Sequence, residues 1–188
     1  MARPKSENKR NAILASAARV IVTHGLSAPT ALIAQEAGVA NGSLFTYFET
    51  KSDLLNQLYL EIKTEMANEA LRGVNEDGEL REQMARVWSN WMNWALANPE
   101  KRKALAQLGV SDELTEDTRN GGHLAMAKMG LLLERCRAEG PMQDAPREFV
   151  VEIMSSIADA TMDYMSAHPE SADADSRAAF EALWRMIA

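Results

Sequence analysis

The chain has 188 residues, a net charge of −7 and one cysteine, Cys136, so an intramolecular disulfide is excluded. Hydrophobic residues make up 46% and charged residues 25%, the balance of a soluble globular protein. Apolar runs are too short to cross a bilayer, and no apolar stretch follows the charged opening MARPKSENKR, so neither a membrane partner nor a secretory signal is expected. A reducing compartment, the cytoplasm, is the expected location. The sign of the charge changes along the chain. Residues 1–51 hold Arg3, Lys5, Lys9, Arg10, Arg19 and Lys51 against Glu7, Glu36 and Glu49, a net of +3, which leaves −10 for the rest. That pattern suggests a basic head on an acidic body, with chance clustering of surface charge as the alternative.

Nearly all hydrophobic periodicity is helical. Ile13, Leu14, Ala17, Val20 and Ile21 share one face of a first helix, which Gly25 ends. A second runs from about Pro29 to Ala37, with proline suited to its first turn, and stops at Gly38. A third, very short, ends near Phe48. Thr50 is the expected N-cap of a long fourth helix, with Asp53 as a short capping-box partner. Leu54, Leu55, Leu58, Tyr59, Ile62, Met66 and Ala70 hold its inner face. A fifth helix, about Leu80–Leu96, carries Met84, Val87, Trp88, Trp91 and Trp94, and Asn98-Pro99 ends it. A short basic helix covers about Glu100–Leu108. Ser111 is read as the cap of a segment reaching Glu139, in which Gly121-Gly122 weighs against one continuous helix. An eighth helix carries Phe149, Val150, Ile153, Ile157, Thr161, Tyr164 and Met165, and a last one Phe180, Leu183, Trp184 and Ile187. The expected fold is therefore all-α, about nine helices: a three-helix head over residues 1–50 and a helical bundle over 51–188.

Two short helices joined by a tight Gly-Val-Ala turn, with another packed behind, match a helix-turn-helix arrangement, whose second helix enters the major groove of double-stranded DNA. In residues 41–48 Leu44 and Phe48 stand four apart and face inward. Asn41, Gly42, Phe45 and Thr46 then face outward, with Ser43 and Tyr47 on the flanks. Phe45 suits a thymine methyl, Asn41, Ser43 and Thr46 suit base edges or phosphate, and the Tyr47 hydroxyl suits a phosphate. Gly42 allows close approach of the backbone. Thr30 and Lys51, near the starts of flanking helices, are expected on the phosphate backbone, and the Arg3/Lys5 tail in a minor groove. Enzyme readings find little support. His24, His123 and His168 lack metal-ligand spacing, and there is no phosphate-binding glycine loop or nucleophile elbow. No catalytic residue, metal or cofactor is expected, and Cys136 is read as a packing residue.

Residues 10–60 resemble the DNA-binding head of the TetR family of bacterial regulators. The resemblance is carried by Ile13-Leu14, Ala17, Gly25, Ile33-Ala34, Ala37-Gly38-Val39, Gly42-Ser43-Leu44-Phe45, Tyr47-Phe48, Lys51 and Leu54-Leu55. MARPKSE, ALAQLGVSDELT and ATMDY further resemble regulators of multidrug efflux. Departures fall on the reading helix: Phe45 stands where the family most often has tyrosine, Asn41 and Thr46 where it often has a basic residue or histidine, and Ala40 in place of a capping serine. The resemblance implies a homodimeric, nucleoid-associated repressor on a palindromic operator, with a C-terminal bundle that binds a small-molecule inducer. The eleven methionines, concentrated after residue 60, and the four tryptophans suit an adaptable apolar wall. Tyr59, Met84, Trp88, Trp91 and Met154 are the implied pocket residues, although stripes at this spacing also build plain cores. Glu152, Asp159 and Asp163 would favour a cationic aromatic ligand, or are simply solvated. The last two helices, through Ile153, Ile157, Thr161, Phe180, Leu183 and Trp184, are the expected dimer seam. The competing class is a helical carrier or enzyme with a vestigial head.

Overall fold

The computed structural model describes residues 3–188, with side chains from Glu7 onward; the Arg3 and Lys5 side chains expected in a minor groove lie outside the described ones. Ten helices and no strand occur among the described residues: α1 (Arg3–His24), α2 (Thr30–Glu36), α3 (Asn41–Leu44), α4 (Lys51–Ala70), α5 (Leu80–Ala97), α6 (Pro99–Gly109), α7 (Glu116–Ala125), α8 (Ala127–Arg137), α9 (Arg147–Ala167) and α10 (Ala172–Ile187). The all-α expectation is met. The additional helix arises where one segment was expected between Ser111 and Glu139. Its first part starts not at Ser111 but at Thr115, whose hydroxyl accepts the Thr118 amide at 3.2 Å. The break falls at Met126, and Gly121-Gly122 lies inside α7.

The chain divides into two compact units, Met1–Thr64 with Asn98–Ala125, and Glu65–Ala97 with Met126–Ala188. The division falls inside α4 and groups α6 and α7 with the first three helices.

In the first unit α1 packs on α2 and α6, and α2 on α3. The apolar stripe read from the sequence is the one buried: Ile13, Leu14, Ala17, Val20 and Ile21 of α1 meet the core that Ile33, Leu44, Phe48, Leu54 and Leu55 complete. The connection between α6 and α7 is tied to α4 by one amide side chain. Buried Asn56 donates to the Glu113 carbonyl at 2.8 Å and accepts the Thr115 N–H at 2.9 Å. Arg119 of α7 closes the same connection, donating to the carbonyls of Gly109 and Ser111. The glycine pair lets α7 approach α4: a Cβ on Gly122 would meet the Tyr59 ring at 2.7 Å, and one on Gly121 the Leu60 side chain at 2.9 Å. These glycines serve packing rather than helix termination.

In the second unit α5 is central and touches α8, α9 and α10, while α9 and α10 pack along each other. Trp88 is buried against Phe180, and its indole N–H donates to the Ser176 carbonyl at 3.0 Å. Trp94 donates to the Glu65 carboxylate. Asn90 takes up two carbonyls at the end of α4, those of Ala70 and Arg72. The turn between α8 and α9 is held by buried Arg137, which donates to the Met142 and Ala145 carbonyls, each at 2.8 Å. Phe149 and Tyr164, expected on the inner stripe of α9, are instead 54% and 53% exposed.

Gly140 sits against the carbonyl of Ile187, which a Cβ would meet at 2.0 Å. Because the obstacle is backbone, Gly140→Ala should lower stability by about 2 kcal/mol, read as a shifted urea midpoint with unchanged slope. Burial, opposed by the nearby Arg135, pushes the Cys136 thiol up to about 11 from 9.0. The raised value means that the stability this thiol supports is intact below pH 9.0 and lost as pH rises towards about 11. Alkylation of Cys136 by iodoacetamide at pH 8 should accordingly be at least about tenfold slower in the folded chain than in urea.

Candidate functional site

The helix-turn-helix is built from two helices that lack side-chain caps. Pro29 and Ala40 occupy the N-cap positions of α2 and α3, and neither has a side chain that can accept the first amides. The turn between them compensates at the other end of α2. Gly38 has φ +67, its N–H donates to the Gln35 carbonyl, and the Val39 N–H donates to the Ala34 carbonyl at 3.0 Å. This is a Schellman closure, and its left-handed residue is the reason glycine stands there.

α3 is a single turn, extended by turn-type hydrogen bonds from Tyr47 and Phe48 back to the Leu44 carbonyl. Leu44 and Phe48 are fully buried. Asn41, Gly42, Ser43 and Thr46 are exposed, Phe45 is 44% exposed and Tyr47 is half-buried. The inward and outward sets read from the sequence are therefore the ones the fold makes. No Cβ contact would arise at Gly42 within the chain, so nothing internal requires glycine there. Thr30, first in α2, and Lys51, first in α4, are both partly exposed.

The turn into α4 closes as a capping box displaced by one residue. The Asp53 N–H donates to the Thr50 hydroxyl, as expected, but the Asp53 carboxylate accepts the Glu49 amide at 3.0 Å. From there a chain of polar contacts crosses to α1. Gln57 donates to Asp53 at 2.8 Å, Arg10 donates to Gln57 at 3.0 Å and to Glu61 at 3.1 Å, and the Arg10 guanidinium lies over the Phe48 ring, 5.7 Å from its centre. Arg10, Gln57 and Glu61 were missed by sequence reasoning. Their signal was there: Asp53, Gln57 and Glu61 recur every four residues, a polar stripe on one side of α4.

The body residues separate by burial. Met84 and Trp88 are buried in the second unit, whereas Trp91 and Met154 are partly exposed. Tyr59 belongs to the first unit, and burial raises its pKa, an effect that Arg119 opposes. Glu152, Asp159 and Asp163 lie on the exposed side of α9. Of the expected dimer seam, Thr161, Phe180 and Leu183 are buried within the single chain and so belong to its own core; Ile153, Ile157 and Trp184 are partly exposed. Among the described residues no group of His, Cys, Asp and Glu could hold a metal ion, and no helix is long and apolar enough to cross a membrane.

Comparison with known proteins agrees with this geometry. The profile of bacterial regulatory proteins of the tetR family matches residues 13–58. A Shewanella sp. PV-4 protein assigned to the TetR family of transcription regulators is 30% identical, with 94% of this chain and 96% of that one covered and a TM-score of 0.83. A TetR family transcription regulator from Marinobacter aquaeolei VT8 shares the fold at 20% identity, with coverage of 97% and 96% and a TM-score of 0.82. FadR from Bacillus subtilis, solved in complex with stearoyl-CoA, shares it at 19% identity, with coverage of 95% and 99% and a TM-score of 0.71. The chain belongs to the TetR family of transcription regulators. It carries that family's DNA-binding helix-turn-helix at its N-terminal end.

The contact chain behind α3 is testable without DNA. In a double-mutant cycle of Arg10→Ala and Gln57→Ala, urea unfolding should show a coupling of about 0.5–1 kcal/mol. Additive effects would mean that the two side chains act separately.

Proposed function

We propose that the protein is a homodimeric repressor that occupies a palindromic operator and is released by a small hydrophobic or cationic aromatic inducer. The observation that carries this reading is the composition of α3. Two fully buried side chains hold it, and the rest of its surface presents an exposed Phe45 among small polar groups. A helix serving only a core has no use for that surface. Phe45 is assigned to apolar contact in the major groove, Asn41, Ser43 and Thr46 to base edges or phosphate, and Gly42 to close backbone approach. Thr30, Tyr47 and Lys51 are assigned to phosphates. Residues 1–50 are taken as the DNA-binding part and 51–188 as the ligand-binding and dimerising part.

Pairing through α9 and α10 is supported by the apolar side chains that α9 leaves uncovered, Phe149, Val151 and Tyr164. Two heads about 34–36 Å apart would meet successive major grooves. The stearoyl-CoA complex of FadR supports a bulky apolar ligand in this fold. In the second unit Trp91 and Met154, which keep part of their surface open, are the proposed ligand contacts, while Met84 and Trp88 are held in its core. An inducer that prefers a conformer with mis-spaced heads must weaken DNA binding by the factor by which DNA weakens its own. Efflux or stress genes are the proposed targets, on the likeness of three segments to RamR-type regulators of multidrug efflux.

The test begins with selection of duplexes from a random pool by the full chain. A palindrome should emerge, bound more weakly as salt rises. Lys51→Ala should weaken it about uniformly across sequences and reduce the slope of log K against log salt by about 1. No selected sequence, or a flat salt response, would remove the repressor reading and leave the carrier class.

A further inference from the structure

Lys63 stands out on α4. Its neighbours one turn away along the helix, Tyr59, Leu60, Met66 and Ala67, are apolar or aromatic. It is partly buried, and that burial lowers its pKa. Among the described residues it has no ion-pair or hydrogen-bond partner; its ammonium has only the Tyr59 ring, 6.0 Å from the ring centre. The Tyr59 hydroxyl likewise makes no hydrogen bond among the described residues, although the side chain is buried and packed against Gly122. Two donors thus lie one turn apart on the same side of α4, and neither has an acceptor. Arg119 acts on Tyr59 as a further positive charge, with its own N–H groups committed to the Gly109 and Ser111 carbonyls.

A half-buried ammonium without a counter-charge costs stability, and a leucine would suit the packing of this face better. The cost is removed when an anion binds, because a charge-assisted bond in poorly hydrated surroundings is stronger than one in water. We propose that Lys63 and Tyr59 form the polar anchor for the carboxylate of an organic acid with an apolar body. The ammonium pairs with one carboxylate oxygen, and the Tyr59 hydroxyl donates to the carboxylate. The inference rests on the regulator reading and, of the two inducer classes it names, takes the hydrophobic one and narrows it to an anionic amphiphile.

The test titrates laurate and dodecyltrimethylammonium, each below its micellar concentration, and dodecanol, below its solubility limit, into the full-length protein by calorimetry at pH 7.5. Laurate should bind at least about tenfold more tightly than the other two. Lys63→Met should weaken laurate about tenfold and leave dodecanol unchanged, Lys63→Arg should retain laurate, and Tyr59→Phe should cause a smaller loss. Thermal melts of each variant report folding, and the retained dodecanol binding shows an intact site. The anchor is refuted if laurate binds no better than dodecanol, if Lys63→Met leaves laurate unchanged, or if no amphiphile binds. DNA release is scored separately, on the duplex selected from the random pool. Release by dodecanol or the cation but not by laurate refutes the anchor and keeps the regulator. Tight, Lys63-dependent laurate binding by a protein that selects no duplex keeps the anchor and refutes the regulator.

Discussion

A helix of one turn cannot stabilise itself in water, because it fixes as many dihedral angles as a nucleus does and gains almost no hydrogen bonds in return. α3 is such a helix, and no side chain caps it. It exists because Leu44 and Phe48 are inserted fully into the core of the first unit, a burial worth about 1.5–3 kcal/mol for each side chain. Everything proposed for the DNA-facing surface follows from that pair. Once two positions four apart are committed inward, the remaining positions of the turn can only look out. The Arg10–Gln57–Asp53 contacts matter for the same reason: they brace the ring of Phe48 and the turn that follows it, where α3 has no strength of its own.

Local chemistry was the legible part of the fold. The helical stripes of α1 and α4 are buried as their spacing implied, that of α5 is buried except for Trp91, Thr50 caps α4, and Gly38 closes α2. These depend on neighbours within a turn or two. What escaped is what depends on distant partners. Gly121 and Gly122 look like helix breakers, yet their role is set by Leu60 and Tyr59, some sixty positions earlier in the chain. The break at Met126 carries no glycine or proline to announce it. In α9 the 3.6-residue period correctly grouped an apolar face, but Phe149 and Tyr164 lie beyond what the single chain covers. Periodicity tells which residues share a side of a helix and says nothing about how far the neighbouring element reaches.

The candidate site divides along the same line. The outward set on α3 was readable because it is the complement of an i, i+4 pair. Arg10 was not, because its partners lie about one turn apart on a helix that begins forty residues later. In the body, aromatic and methionine content marked a region but did not separate wall from core. Trp88, with its indole hydrogen-bonded to Ser176, is held as a core residue is held, while Trp91 keeps part of its surface open. The dimer seam implied by the family resemblance contained Phe180 and Leu183, which the chain buries for itself.

The placement of the tryptophans has an optical consequence. All four, Trp88, Trp91, Trp94 and Trp184, belong to the second unit, and the first has none. Trp88 and Trp94 are shielded from water, and Trp91 meets Trp88 edge-on at 6.4 Å between ring centres. Emission from Trp88 and Trp94 is therefore expected toward the blue, and Trp88 and Trp91 lie close enough to couple. A rearrangement around these indoles would change the tryptophan emission, whereas the α3 turn, with Tyr47 as its sole phenol, contributes none. Selective excitation of tryptophan in the unlabelled protein therefore reports on the second unit alone.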